Sequence, residues 1–212
     1  MKRLERSRYP LLAALIAALA GAAAPAPARA ARPDLPTLSD AQQEKIRAGQ
    51  FCLLSARDED DETARIQGVL EIDATDAEIW EIILDPASVQ DSAKAMKEVE
   101  LLRDETLASG QRQLDLSFFL KVGPTEIRYH ARRDYYPDQN HMTFEMDTSK
   151  DNDIDWTEGS YTTFEGLTEG RRLLLYSLVI DTGRNVPKWL EEDLTESSLK
   201  RYLLYVKKKA EG

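Results

Sequence analysis

The last forty residues constrain the fold of this chain more than any other segment, because a strand-like run gives way there to a long helix-like one. The strand-like run over residues 171–181 breaks at Thr182 and Gly183, and residues 186–209 follow with helical spacing. A long helix after a series of strands predicts a lid packed on a curved sheet. The preceding part of the chain must therefore supply the strands.

Four strand candidates precede this run, and short turn-forming segments separate them. They cover residues 112–122, 126–136, 141–148 and 156–167. The connections are rich in Gly, Pro, Asp and Asn, which favour tight turns. Because short turns join antiparallel neighbours, we predict one continuous antiparallel meander that ends with residues 171–181. Apolar residues fall on alternate positions of these strands, so each strand offers one face to a common interior.

The first half of the chain is predicted to add three helices and three strands. Two capping boxes, at Ser39 and at Thr75, predict helices that start at residues 40 and 76, and a third short helix is expected over residues 87–93. Trp80 falls at core spacing in the second helix. Strands are expected over residues 51–57, 63–73 and 98–103. In the second of these, alternation separates an apolar face from a polar face that includes Glu71.

The N-terminal residues have the pattern of an export signal. A basic flank precedes an apolar run over residues 11–24, and Ala28-Arg29-Ala30 fits the small-x-small rule for cleavage. We therefore expect residues 1–30 to be a signal peptide, residues 31–38 a linker and residues 39–212 a single domain in the periplasm.

Charge and cysteine content limit the partners. Without residues 1–30 the chain has 23 basic and 37 acidic residues, a net charge of −14. Such a surface repels phosphate groups, so we expect no nucleic-acid partner and at most transient contact with a membrane or a transporter. The single cysteine, Cys52, lies in an apolar run and is predicted to be a buried packing residue. We expect a monomer.

Catalytic and metal-binding patterns are weak in this sequence. The two histidines lie outside any recognisable nucleophile motif. Asp151, Asp153 and Asp155 have the spacing of calcium ligands, but Trp156 and Thr162 stand where a calcium loop needs glycine and glutamate. We predict no catalytic constellation, no metal site and no cofactor. A pocket enzyme of the cyclase or isomerase type leaves little trace in a sequence, and it stays open as an alternative.

Three segments resemble a known superfamily. Residues 68–74 (GVLEIDA) with residues 79–85 (IWEIILD) are similar to the opening of START-like proteins, the SRPBCC superfamily, which includes polyketide cyclases and lipid-transport proteins. Residues 181–190 (DTGRNVPKWL) resemble the start of that superfamily's C-terminal helix. The resemblance covers roughly residues 50–210, and residues 39–57 resemble an addition found in its exported bacterial branch.

This resemblance implies an α+β helix-grip fold. A curved antiparallel β-sheet would wrap around a long C-terminal α-helix, with two short helices after the first core strand. The resemblance also implies a cavity between sheet and helix that binds or transports a hydrophobic small molecule, such as a lipid or a sterol. An interaction module whose interior is filled by its own side chains is a further alternative.

The candidate ligand-binding residues come from the inner face of the sheet and from the start of the terminal helix. They are Phe118, Leu120, Tyr129, Phe144, Met146, Tyr161, Trp189, Leu190 and Leu194. The polar candidates are Arg128, His130, Arg132 and Arg133, and alternation puts the first three on the face opposite Tyr129.

The terminal helix is not expected to be straight. Its apolar stripe moves from Leu190 and Leu194 to a set that includes Leu199 and Tyr202, which predicts a bend or a break near residues 197–198.

Overall fold

One antiparallel sheet of eight strands organises the part of the chain that the computed structural model describes, residues 31–55, 64–181 and 197–212. The strands are β1 (Cys52–Ser55), β2 (Ala64–Ile72), β3 (Met96–Thr106), β4 (Arg112–Val122), β5 (Thr125–Tyr136), β6 (His141–Met146), β7 (Trp156–Glu165) and β8 (Arg172–Asp181). Their spatial order is β1-β2-β8-β7-β6-β5-β4-β3. Strands β4 to β8 therefore form the predicted meander, β3 extends it beyond β4, and β2 joins it by pairing with β8.

Four α-helices accompany the sheet in the described residues. They are α1 (Asp40–Arg47), α2 (Asp76–Leu84), α3 (Pro86–Ser92) and α4 (Ser198–Ala210), and a 3₁₀ turn, Pro137–Gln139, joins β5 to β6. Both predicted capping boxes are present: the hydroxyls of Ser39 and Thr75 accept hydrogen bonds from the backbone N–H groups of Gln42 and Glu78. This order of elements confirms the predicted α+β helix-grip fold.

The predicted strand bounds agree closely with those observed. The strand over residues 112–122 coincides with β4, whereas β3 begins two residues earlier and ends three later than residues 98–103. The β3 strand lies at one edge of the sheet, and its outer half is exposed. Its backbone pairs with β4, and only Met96 and Val99 pack against the main core, so its ends were harder to predict from apolar spacing.

Helix α4 packs against α2 and against the inner face of the sheet. Its stripe of Leu199, Tyr202, Leu203 and Val206 is at most 7% exposed. Gly68 of β2 permits this approach, since a Cβ atom there would lie 2.5 Å from Cδ2 of Leu199. The predicted core role of Trp80 is also confirmed, because its side chain is 3% exposed within the same core.

The outer face of β2 and β8 carries a second, smaller core. Its buried members come from α1, β1, β2 and β8 and are Ile46, Cys52, Val69, Leu173 and Leu175. Leu35 and Leu38 pack against it, so the segment predicted as a linker lies against the fold. Cys52 is buried, as predicted.

Glu71 shows how alternation alone can mislead. Its placement opposite Leu70 and Ile72 is right, but the polar face of β2 is not in solvent, because Glu71 is completely buried. The backbone N–H of Thr168 donates to its carboxylate at 2.7 Å, and the Thr168 hydroxyl donates at 2.9 Å. The guanidinium of Arg171 lies 3.6 Å away. Partners from the turn between β7 and β8 therefore make this burial possible.

Several predictions fall on residues outside the described ranges. These are the signal peptide over residues 1–30 and the start of the terminal helix over residues 186–196, so the bend predicted near residues 197–198 can be followed on its C-terminal side alone. The described part of that helix begins at Ser198. Within the described ranges no helix is both long enough and apolar enough to cross a bilayer.

Candidate functional site

A cavity of about 150 Å³ lies between the inner face of the sheet and helices α3 and α4. Strands β4 to β8 supply most of its wall, and α3, the segment that follows it, and the first turn of α4 supply the rest. The described wall consists mainly of aliphatic and aromatic side chains. The cavity therefore occupies the position that the helix-grip order predicts.

The structure brings together most of the predicted ligand-binding residues that it describes. Five of them line the cavity: Phe118, Leu120, Tyr129, Phe144 and Tyr161. Met146 is buried in the same core but lies outside the wall of the cavity. Trp189, Leu190 and Leu194 lie outside the described residues. The binding role of all nine residues stays a prediction.

Strand pairing places the aromatic rings of the wall beside one another. Phe118 and Tyr129 are directly opposed on β4 and β5, and their rings stack with centroids 4.7 Å apart. Phe144 lies opposite Gly159 of β7, where a Cβ atom would come within 2.3 Å of its ring. Glycine at this position leaves the space that the Phe144 ring fills.

Three tyrosines form the other aromatic part of the wall. The rings of Tyr161 and Tyr176 stack with centroids 4.2 Å apart, and Tyr202 of α4 meets both edge-on at 5.7 and 6.2 Å. Tyr176 and Tyr202 were not among the predicted site residues. Both had a usable signal: Tyr176 alternates with the apolar residues of β8, and Tyr202 lies on the apolar stripe of the terminal helix.

Burial keeps the tyrosine hydroxyls neutral. It raises the pKa of Tyr129 to about 12 and raises the pKa of Tyr161, Tyr176 and Tyr202 well above the ordinary value. These groups therefore act as neutral hydrogen-bonding groups near pH 7. The hydroxyl of Tyr202 is buried and has no hydrogen-bond partner among the described residues.

Arg133 is the one polar candidate that faces the cavity. It follows Tyr129 and Ala131 on the inner face of β5 and is 6% exposed. Its Nη1 donates to the backbone carbonyl of Ile83 at 3.3 Å, and its guanidinium carbon lies 5.7 Å from the centroid of the Phe118 ring.

The other polar candidates lie on the outer face of β5, as predicted. Arg128 is exposed and stacks over Phe119 at 4.1 Å. Arg132 is half-buried, and its Nε lies 3.2 Å from a carboxylate oxygen of Asp115. Nowhere in the described ranges do three or more His, Cys, Asp or Glu side chains cluster in a way that could hold a metal ion.

The chain was compared with protein-family models, curated proteins and solved structures. No protein-family model matches the chain, and no curated protein matches it either. Solved structures do match it. A STAR-related lipid transfer protein from Xanthomonas axonopodis aligns with a TM-score of 0.59 and 11% identity, over 76% of this chain and 94% of that one.

Two further structures extend the similarity. A START superfamily protein from Mycobacterium smegmatis aligns with a TM-score of 0.54 and 16% identity, over 69% of this chain and 97% of that one. The Zhui aromatase/cyclase from Streptomyces sp. R1128 aligns with a TM-score of 0.51 and 16% identity, over 70% of this chain and 91% of that one. At these identities the similarity shows the fold, and the fold is START-like.

Proposed function

We propose that this protein binds a hydrophobic small molecule in the cavity between the sheet and α4. The observation that carries the proposal is the wall itself, in which aliphatic and aromatic side chains surround about 150 Å³ of space. Apolar walls of this kind bind by removing ligand surface from water, at about 25 cal/mol per Å². An engineered cavity of about 150 Å³ accepts benzene, so the described wall alone has room for a compact hydrophobic group.

We propose more specifically that the protein is a periplasmic carrier of a lipid, a sterol or a similar molecule. Its support is the signal-peptide pattern of residues 1–30 and the lipid-transfer name of one protein that shares the fold. An interaction module with a filled interior fits less well, because the described side chains leave the cavity open.

A pocket enzyme of the cyclase or isomerase type is the second candidate. The observation that favours it is the polar part of the wall, where Arg133 and four tyrosines accompany the apolar residues. An aromatase/cyclase also shares the fold. The neutral tyrosines and the arginine can orient a bound molecule, which serves both functions. A bound molecule recovered unchanged after incubation supports the carrier, whereas a converted one supports the enzyme.

A titration with the neutral fluorescent probe N-phenyl-1-naphthylamine tests the binding proposal. The wild-type protein should enhance the probe's fluorescence. Ala131 lines the cavity and is 3% exposed, so Ala131→Phe fills part of the space. Loss of about 50 Å² of buried probe surface lowers the affinity about tenfold.

The matched control is Ala108→Phe, which adds the same ring in an exposed turn between β3 and β4. Its probe affinity should equal that of the wild type. The proposal fails if the wild type does not bind the probe, or if Ala131→Phe, with its fold verified by circular dichroism, binds as tightly as Ala108→Phe. Native mass spectrometry of the protein from its source, followed by organic extraction, then identifies the molecule that it carries.

A further inference from the structure

Arg133 differs from the other buried or half-buried arginines of the described chain in having no counter-charge. Arg112, Arg132, Arg171 and Arg172 each lie within 4.0 Å of a carboxylate oxygen. The described residues offer Arg133 no such carboxylate, although it is 6% exposed. An arginine stays protonated in a protein, so this side of the cavity holds a permanent positive charge.

The protein satisfies only part of the hydrogen-bonding capacity of Arg133. Among the described residues, one of its five N–H groups has an acceptor, the carbonyl of Ile83 near the C-terminal end of α2. The partial negative charge of that helix end and the face of the Phe118 ring stabilise the guanidinium without neutralising it. Further donors are therefore available to a molecule in the cavity.

Tyr202 adds a further polar group to the same wall, a neutral hydroxyl that is buried beside the ring of Tyr161. Burial raises the pKa of this tyrosine, and the nearby charge of Arg133 opposes the rise. Buried donors are normally paired, so the four N–H groups of Arg133 that lack an acceptor among the described residues can receive one from a bound molecule.

From this wall we infer that the bound molecule is a hydrophobic carboxylic acid, held as its carboxylate by the guanidinium of Arg133. The guanidinium presents parallel N–H groups that match the two oxygens of a carboxylate. The described wall contains Arg133 but no Asp or Glu, so its charge favours an anion. The apolar remainder of the wall receives the hydrocarbon part. This inference rests on the proposed binding function.

The test compares decanoic acid with its methyl ester as competitors of bound N-phenyl-1-naphthylamine, below the concentrations at which either forms micelles. The pair shares a hydrocarbon chain and differs in the charge of the head group. Hydrogen bonds to a charged group are worth about 10- to 100-fold in affinity, so the acid should displace the probe from the wild type at a concentration lower by that factor.

Three variants assign this preference to a residue. Arg133→Met keeps the length of the side chain but removes the charge, and it should bind the acid and the ester equally while it still binds the probe. Arg133→Lys keeps the charge but loses the paired N–H groups, and it should retain part of the preference. Arg132→Met, the neighbour on the outer face, should behave as the wild type.

The following results would overturn the inference. A wild type that binds the probe but does not distinguish the acid from the ester overturns the inference, and so does an Arg133→Met protein that keeps the preference. Stronger displacement by decyl phosphate than by decanoate overturns the choice of a carboxylate. Failure of the wild type to bind the probe is a different result, because it removes the proposed function itself.

Discussion

Glu71 and Arg133 are charged side chains buried on opposite faces of the same sheet, and they differ in their partners. Glu71 accepts two hydrogen bonds from Thr168 and lies 3.6 Å from the guanidinium of Arg171. Arg133 has one hydrogen bond, to Ile83, and no carboxylate partner among the described residues. Burial of a charge is costly unless the charge is paired. The described residues meet this requirement on the outer face and leave it incomplete on the inner one.

The two faces also differ in packing, because the outer core is filled whereas the inner core contains a cavity. The outer core closes around five buried residues, and Leu173 and Val69 in it have no exposed surface. The inner core surrounds a cavity of about 150 Å³. Protein interiors are normally close-packed, and an unfilled space forfeits contacts. This difference agrees with the proposed ligand binding at the inner face, and it predicts that the outer face contributes more to stability.

Removal of a leucine from the outer core should have the largest effect. Leu173→Ala leaves a new cavity among fully packed neighbours and should lower the free energy of unfolding by about 2–5 kcal/mol. Leu178→Ala, at the wall of the existing cavity, loses fewer contacts and should cost less. Urea denaturation measures both. The division of roles between the two faces is wrong if Leu178→Ala lowers the free energy of unfolding as much as Leu173→Ala. It is also wrong if folded Leu173→Ala protein binds the probe more weakly than the wild type.

Neutral substitutions at Glu71 and at Arg133 should change the free energy of unfolding by different amounts. Glu71→Gln keeps the shape but weakens the contacts with Thr168 and Arg171, and it should cost about 1–3 kcal/mol of unfolding free energy. Arg133→Met removes a buried charge that has no counter-charge among the described residues, so it should leave the stability unchanged or raise it. Urea denaturation of both variants beside the wild type is the measurement. A larger loss for Arg133→Met than for Glu71→Gln would mean that the fold itself needs this arginine.

The sequence predicts the inner face well because its signals are local. Alternation along β4 and β5 places Phe118 and Tyr129 correctly, and it also puts Arg133 on the inner face beside Tyr129. Both capping boxes form where Ser39 and Thr75 stand. Such patterns depend only on neighbours in the chain, and the order of strands and helices follows from them, whereas the helix-grip fold was implied by the family resemblance.

Alternation along the strands could not predict the outer core or the extent of the cavity. Burial of Glu71 depends on Thr168 and Arg171, about a hundred positions later in the chain. Met146 has the right period but lies beyond the end of the cavity, because the position of a void along a strand depends on the helices that cover it. Alternation along a strand shows which side chains share a face of the sheet. It does not show where a cavity lies on that face, because a cavity results from packing between elements that are distant in the sequence.

A pH titration gives the smallest effect and tests a third buried ionisable group. His141 lies on the outer side of β6 and is 1% exposed; its Nδ1 forms a 2.8 Å hydrogen bond with Oγ1 of Thr162, while Nε2 has no partner among the described residues. Burial is the main cause that lowers the pKa of His141 below its ordinary value of 6.5; the backbone of Tyr161 partly opposes this shift, and the positive charge of Arg32 adds to it. The outer face should therefore hold this histidine neutral.

The sign of the effect follows from proton binding. Near pH 6.5 the unfolded chain takes up a proton at this residue while the folded protein does not, so the stability is complete above that pH and falls as the pH decreases towards the lowered pKa. His141→Asn should reduce the slope of unfolding free energy against pH between about 7.5 and 5.5, as measured by urea denaturation. Equal slopes for the wild type and the variant would mean that the outer face accepts a charge at His141 without a counter-charge. It would then resemble the inner face at Arg133, and the contrast between the two faces would be lost.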